Sequence, residues 1–188
     1  MRKALIATIF VLAFSFIAAA QSTPKAEVFG GYQYTNADLA LPDRASLNGW
    51  NAQLSGYFNR NLGITADFSG IYGSPDSGFG PFVGSVDTTA YSYMFGPVLR
   101  APMGKATPYV HALFGATHIE ADNVTLGNFT DTAFSYALGG GFDLNFHRRL
   151  ALRLAQVDFY ATRFGTGING ATETQNHVRV STGLVFKF

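Results

Sequence analysis

From Lys25 to the end of the chain, apolar and polar residues alternate with a period of two. That is the spacing at which side chains leave the two faces of a β-strand. Eight such stretches are predicted, over residues 25–34, 48–58, 62–72, 88–100, 108–118, 133–145, 150–160 and 177–188. In the last, Val178, Val180, Thr182, Leu184, Phe186 and Phe188 share one face. His177, Arg179, Ser181, Gly183, Val185 and Lys187 share the other. In the third, Leu62, Ile64, Ala66, Phe68 and Tyr72 alternate with Gly63, Thr65, Asp67 and Ser69. In the sixth, Phe134, Tyr136, Leu138, Phe142 and Leu144 alternate with Ser135, Ala137, Gly139, Gly141 and Asp143. No helical periodicity competes.

One face of each stretch is bulky and apolar, and the other is small or polar. A soluble barrel turns its large apolar groups inward; a membrane barrel carries them on an outer band around a polar interior. The inner positions of a narrow eight-stranded barrel must also be small or interdigitating, and Ser135, Gly139, Gly141, Ser181 and Gly183 suit that space. Hydrocarbon admits only a closed barrel, because an open edge would leave backbone groups unpaired.

The connections alternate strictly between short (59–61, 101–107, 146–149) and long (35–47, 73–87, 119–132, 161–176). Outer-membrane barrels have short periplasmic turns and long external loops. The expected fold is therefore all-β: an eight-stranded antiparallel up-and-down transmembrane β-barrel with both termini in the periplasm.

Composition changes the picture at the N-terminus. Arg2 and Lys3 precede an apolar stretch from Ala4 to Ile17, and Ala18-Ala19-Ala20 supplies small residues for cleavage before Gln21. This is the anatomy of a secretory signal peptide over residues 1–20, leaving 21–188 as the barrel domain. The apolar stretch is short for a membrane anchor. No Cys follows the cleavage site, which excludes a lipid-anchored form, and none elsewhere permits disulfides or thiol–metal sites. Aromatics are 15% of the chain and charged residues 13%, about half the ordinary charged share. Without Arg2 and Lys3 there remain 11 basic residues against 12 acidic ones, a balance that argues against nucleic acid as a partner.

At its end the chain resembles a known family. The final strand Thr182-Gly183-Leu184-Val185-Phe186-Lys187-Phe188 is similar to the β-signal of the small eight-stranded outer-membrane β-barrel proteins, the family of the OmpA-type transmembrane domain. In that signal a polar residue and Gly (here Thr182 and Gly183) precede two aromatic or apolar residues flanking a free position (here Phe186 and Phe188). The resemblance covers residues 22–188 and rests on strand count, loop alternation and this terminus. It implies outer-membrane lipid as the environment and the β-barrel assembly machinery as a partner during biogenesis. Capture of an apolar edge strand by β-augmentation is the physical basis. OmpA itself continues into a peptidoglycan-binding domain; this sequence ends at Phe188, so no cell-wall binding is expected from the likeness.

Candidate chemistry is sparse. Gly165-Thr166-Gly167-Ile168-Asn169-Gly170 fits a dinucleotide pattern, but a strand follows where the fingerprint needs a helix. His111, His118, His147 and His177 lack the close spacing of metal pairs and read as polar rim residues. His177 and Ser181 share a face but stand about 13 Å apart along a strand, too far for a nucleophile and its base. Asn123-Val124-Thr125 and Asn128-Phe129-Thr130 are formal glycosylation sequons, ordinary loop residues in a bacterial barrel. No catalytic residue, cofactor or metal is expected.

The inward charges carry more. Glu27, Asp67, Asp143, Arg153, Arg179 and Lys187 all fall on the predicted interior. Asp158 joins them if a β-bulge near Ala155 or Gln156 shifts the phase, since it lies five residues from Arg153. They read as an ion pathway or as a salt-bridge network filling the lumen. The second is favoured because side chains nearly fill an eight-stranded interior. Two pairs are expected to meet: Glu27 with Lys187 if the first and last strands close the barrel, and Asp143 with Arg153 across a short turn. The expected role is a non-enzymatic outer-membrane barrel whose loops contact an unknown surface partner or which supports the envelope. A narrow pore for small solutes, or a soluble lipocalin-like barrel around an apolar ligand, are the alternatives.

Overall fold

The computed structural model describes residues 25–37, 45–73, 76–79, 82–85, 87–123, 127–166 and 171–188. The predicted leader, residues 1–20, lies outside them, as do 167–170 of the glycine-rich segment. Among the described residues there are ten strands: β1 Ala26–Ala37, β2 Ala45–Tyr57, β3 Leu62–Gly73, β4 Asp76–Phe79, β5 Phe82–Ser85, β6 Asp87–Arg100, β7 Ala106–Asn123, β8 Gly127–His147, β9 Leu150–Thr166 and β10 Ala171–Lys187. Eight form a closed antiparallel barrel in the order β1-β10-β9-β8-β7-β6-β3-β2, and β4 pairs with β5 in a separate two-stranded sheet.

Closure is made by β1 and β10, whose register runs from Glu27 opposite Lys187 to Asn36 opposite Val178. Beyond the ladder, Phe188 N donates to Ala26 O and Lys25 N to Phe188 O, both at 2.9 Å. Every strand of the barrel thus has two hydrogen-bonded neighbours, which is what hydrocarbon requires.

Sidedness follows the alternation. Val178, Val180, Leu184, Phe186 and Phe188 are exposed, as are Leu62, Ile64, Phe68, Phe134 and Leu138, while Thr65, Asp67, Ser135, Arg179 and Ser181 are buried. The outer surface is apolar and the interior polar, the inverse of a soluble protein. The apolar residues inside include two small clusters, Met94–Leu113–Ala137–Tyr160 and Phe29–Ala151–Val185.

The phase shift in β9 falls at Leu154 and Ala155. Asp143 pairs with Arg153 and Phe142 with Ala155, leaving Leu154 without an opposite residue on β8. On the other side Gly183 pairs with Arg153 and Ser181 with Gln156, so Thr182 alone faces Leu154 and Ala155. Both of those residues are exposed, and the inward sequence resumes at Gln156 and Asp158. Thr182 Oγ1 donates to Arg153 O at 3.0 Å across the bulge.

The strands differ from expectation at one end. β7 to β10 run for 18, 21, 17 and 17 residues, beyond the roughly 9–11 that span a bilayer. Two of the expected long loops are mostly ladder: β7 continues to Asn123 and β8 starts at Gly127. Outside the membrane both faces of a hairpin meet water, so the hydropathy pattern disappears while backbone pairing continues. At the other end the connections are tight, and the turn before β7 uses Gly104 with φ 62°, a conformation that suits glycine.

Candidate functional site

The lumen holds the chemistry-bearing residues, in three tiers. Nearest the short turns, Arg100 Nη1 lies 2.5 Å from Glu27 Oε1, with Lys187 Nζ at 3.5 Å from the same oxygen. Tyr57 donates its hydroxyl to Glu27 Oε2 at 3.1 Å, and its ring lies 3.4 Å from the Arg100 guanidinium carbon. Lys187 Nζ also donates to Asn145 Oδ1 at 2.7 Å.

In the middle tier Arg153 and Asp143, partners across the turn joining β8 and β9, form a forked pair: Nε to Oδ1 at 2.9 Å and Nη2 to Oδ2 at 3.3 Å. Arg153 Nη1 reaches Gln53 Oε1 on β2 at 2.6 Å and Gln156 Oε1 at 2.7 Å. The rings of Phe29 and Tyr109 each lie 4.3 Å from its guanidinium carbon. A planar cation with five donors can be satisfied by such a set where a lysine could not.

The third tier centres on Arg179. It contacts Asp67 on β3 at 2.8 Å and Asp158 on β9 at 2.7 Å. Asp158 Oδ1 also lies 2.8 Å from His111 Nε2, and Gln156 donates to its Oδ2 at 2.7 Å. Asp67 accepts from Asn51 at 2.9 Å and from Gln53 at 2.7 Å. Room for Asp158 comes from Gly139, where a Cβ would fall 2.0 Å from Asp158 Oδ1. Beyond Arg179 the interior turns to hydroxyls: Thr117 contacts Ser135 and Tyr160, and Ser69 contacts Ser92 at 2.6 Å. A cavity of about 50 Å³ opens there, bordered by Gln33, Ser92, Tyr160, His177 and Arg179.

Four carboxylates and four cations therefore share the described lumen, each acid within an ion pair. Buried pairs contribute little net stability over apolar packing, but one left without its partner is costly. The arrangement can neutralise and fill a narrow interior.

All seven charges predicted for the lumen line it: Glu27, Asp67, Asp143, Arg153, Asp158, Arg179 and Lys187 are buried. Both expected pairs are in contact, but Glu27 lies closer to Arg100 than to Lys187. Arg100 was missed at the sequence level; it continues the inward phase of Ala90, Ser92, Met94 and Val98. Gln53, Gln156, Tyr57 and Tyr109 were missed because they bear no charge. His111 and His177 sit inside the barrel, not at the rim: His111 on Asp158, and His177 Nε2 3.2 Å from Thr162 Oγ1. Of the four residues expected to form an assembly signal, Thr182, Phe186 and Phe188 face outward and Gly183 faces inward against Gly30. Among the described residues, no group of three metal-ligating side chains comes together.

Comparison with known proteins gives the same architecture. The family model described as outer membrane protein beta-barrel domain matches residues 6–188. A search of curated protein sequences returns no match. Among solved structures, Neisserial surface protein A superposes with a TM-score of 0.69 at 13% identity, over 89% of this chain and 100% of that one. Ail, the attachment invasion locus protein of Yersinia pestis, solved in complex with the heparin analogue sucrose octasulfate, gives 0.60 at 17% identity, over 89% and 100%. The outer membrane protein OprG from Pseudomonas aeruginosa gives 0.55 at 11% identity, over 90% and 98%. At these identities the likeness is one of fold.

Proposed function

The chain belongs to the outer-membrane β-barrel domain family, and from that premise we propose a closed, non-conducting, non-enzymatic barrel that acts through its external hairpins or by supporting the envelope. The protein is an integral outer-membrane β-barrel, with an apolar surface suited to lipid. The observation that carries the proposal is Arg179, which ties Asp67 to Asp158 from opposite walls of the lumen. Below it Arg153 joins β9 to β2 through Gln53. Two successive side-chain bridges obstruct a narrow interior, which favours this reading over the narrow pore. The apolar outer face and the family disfavour the lipocalin-like alternative.

The extended hairpins β7–β8 and β9–β10 rise past the membrane band and supply surface for a partner. A sulfated ligand like that in the Ail complex is not proposed, because Glu120 and Asp131 place carboxylates on the outer part of β7 and β8. Residues 1–20 serve as a leader, and both ends of the barrel face the periplasm, a reading supported by the position of Lys25 and Phe188 beside the short turns. The terminal strand acts as the signal read by the assembly machinery.

Planar-bilayer recording of the purified barrel tests the proposal. The expected result is no unitary conductance from the wild type. Regular single-channel steps, seen in the wild type and altered by Arg179→Ala, would establish the pore instead.

A further inference from the structure

We infer that the short-turn end of the barrel is a ring that recruits anionic phospholipid headgroups, an inference that rests on the membrane-barrel reading above. Four seams meet at this end: β1 with β10, β9 with β8, β7 with β6, and β3 with β2. They are every second seam round the barrel, so they are spread evenly over its perimeter. Each carries a cation. Lys25 precedes β1, Arg60 lies between β2 and β3, Lys105 lies between β6 and β7, and Arg148 and Arg149 join β8 to β9. Arg60, Lys105, Arg148 and Arg149 are exposed, and Lys25 is half-buried.

A second observation recurs with the first. At each of the four seams a large exposed apolar residue stands beside a cation. Phe58 (72% exposed) accompanies Arg60, Met103 (62%) accompanies Lys105, Phe146 (61%) accompanies Arg148, and Phe188 (71%) lies against Lys25 through its carbonyl. Fourfold repetition of cation beside apolar anchor is the pattern of groups held at a membrane boundary. The apolar member enters the edge of the hydrocarbon and the cation reaches the phosphate layer. Cations on the perimeter meet the surrounding lipid first; a periplasmic partner docking on the base would need them turned across it.

Among the described side chains, no outward carboxylate offsets these cations. Among the described residues the side-chain carboxylates nearest this end, Glu27 and Asp143, are buried inside the lumen and paired with Arg100, Lys187 and Arg153. Carboxylates outside the lumen reappear on the far half, at Glu120 and Asp131. Among the described residues the outward charge is wholly positive at the short-turn end and mixed on the far half, where exposed Arg163 accompanies Glu120 and Asp131, so an anionic leaflet would favour the short-turn end. One cation engaged per headgroup corresponds to roughly a five-fold preference for an anionic over a zwitterionic lipid, and salt should screen it.

The test uses the folded full barrel in phosphatidylcholine vesicles doped with spin-labelled phosphatidylglycerol or spin-labelled phosphatidylcholine. Electron paramagnetic resonance reads the fraction of each label immobilised at the protein surface. The expected result is a several-fold enrichment of the glycerol lipid in dilute buffer, falling towards parity at high salt. Joint Lys105→Gln, Arg148→Gln and Arg149→Gln should remove most of the enrichment, and joint Arg148→Lys and Arg149→Lys should keep it. If the triple variant fails to fold, Lys105→Gln and Arg148→Gln taken singly should each lower it in part. Equal immobilisation of the two lipids by the wild type would overturn the inference, as would an enrichment that survives the triple substitution. So would charge-dependent binding of cell-wall sacculi without any lipid preference. A wild type that inserts, resists heat before gel migration and yet shows no preference leaves the membrane-barrel reading intact; failure to insert at all counts against that reading.

Discussion

Arg179 and Asp67 are 112 residues apart in sequence, yet two guanidinium nitrogens meet the two carboxylate oxygens at 2.8 and 3.2 Å inside the barrel. Asp158 from the opposite wall shares the same arginine. Arg179→Met therefore deprives two buried acids of their arginine. The expected cost is on the order of 3–5 kcal/mol, measured by urea unfolding in lipid vesicles. Adding Asp67→Asn should recover part of it; a double variant no more stable than the single one would show that the pair is not coupled.

The short-turn tier makes a ranking. Arg100 lies 2.5 Å from Glu27, whereas Lys187 lies 3.5 Å away and also bonds Asn145. Arg100→Met should destabilise more than Lys187→Met in the same unfolding assay. Glu27→Gln should rescue the Arg100 variant more than the Lys187 variant. The opposite order would mean that Lys187 is the partner that neutralises Glu27.

Val180 and Ser181 are neighbours on opposite faces. Val180 is outward at 38% exposure and Ser181 inward at 1%. Arg on the lipid face costs roughly 2–4 kcal/mol at mid-depth and less near the interfaces. Ser181 Oγ has no hydrogen-bond partner among the described residues, so Ser181→Ala breaks no bond and should leave the barrel as stable or more so. Val180→Arg should be the more damaging by a clear margin, and equal effects would contradict the sidedness.

The bulge predicts which deletion the barrel tolerates. Leu154 is the extra residue of β9. Removing it leaves Arg153 and Gln156 two apart, both still inward, with an unbroken ladder. Removing Val157 instead would turn Asp158 towards lipid by the one-residue rule. Gel migration with and without heating should show folded barrel for the Leu154 deletion and little for the Val157 deletion.

Phe188 ends the strand that closes the barrel, and its N–H and C=O bond Ala26 and Lys25. Deleting Phe188 should lower the yield of folded, heat-modifiable barrel in the outer membrane at native expression. An unchanged yield would argue against a role for this residue in assembly.

Inside and outside were legible along the chain because a strand's side chains alternate with period two. A lipid-facing surface must be apolar, and a narrow lumen must be small or polar. That sufficed to place Asp67, Asp143, Arg153, Arg179 and Lys187 on the inner wall, and Asp158 too through the bulge that its spacing from Arg153 demanded. Reach along one hairpin, as between Asp143 and Arg153, was legible for the same reason. What only the closed barrel decided is which inner residues meet across it. Arg179 finds Asp67 and Asp158, and Glu27 finds Arg100, because register and diameter bring distant strands to one height. Neither quantity is written in any local pattern. The outer lengths of β7 to β10 were hidden for a related reason: beyond the membrane, backbone pairing continues where solvent no longer selects one face as apolar.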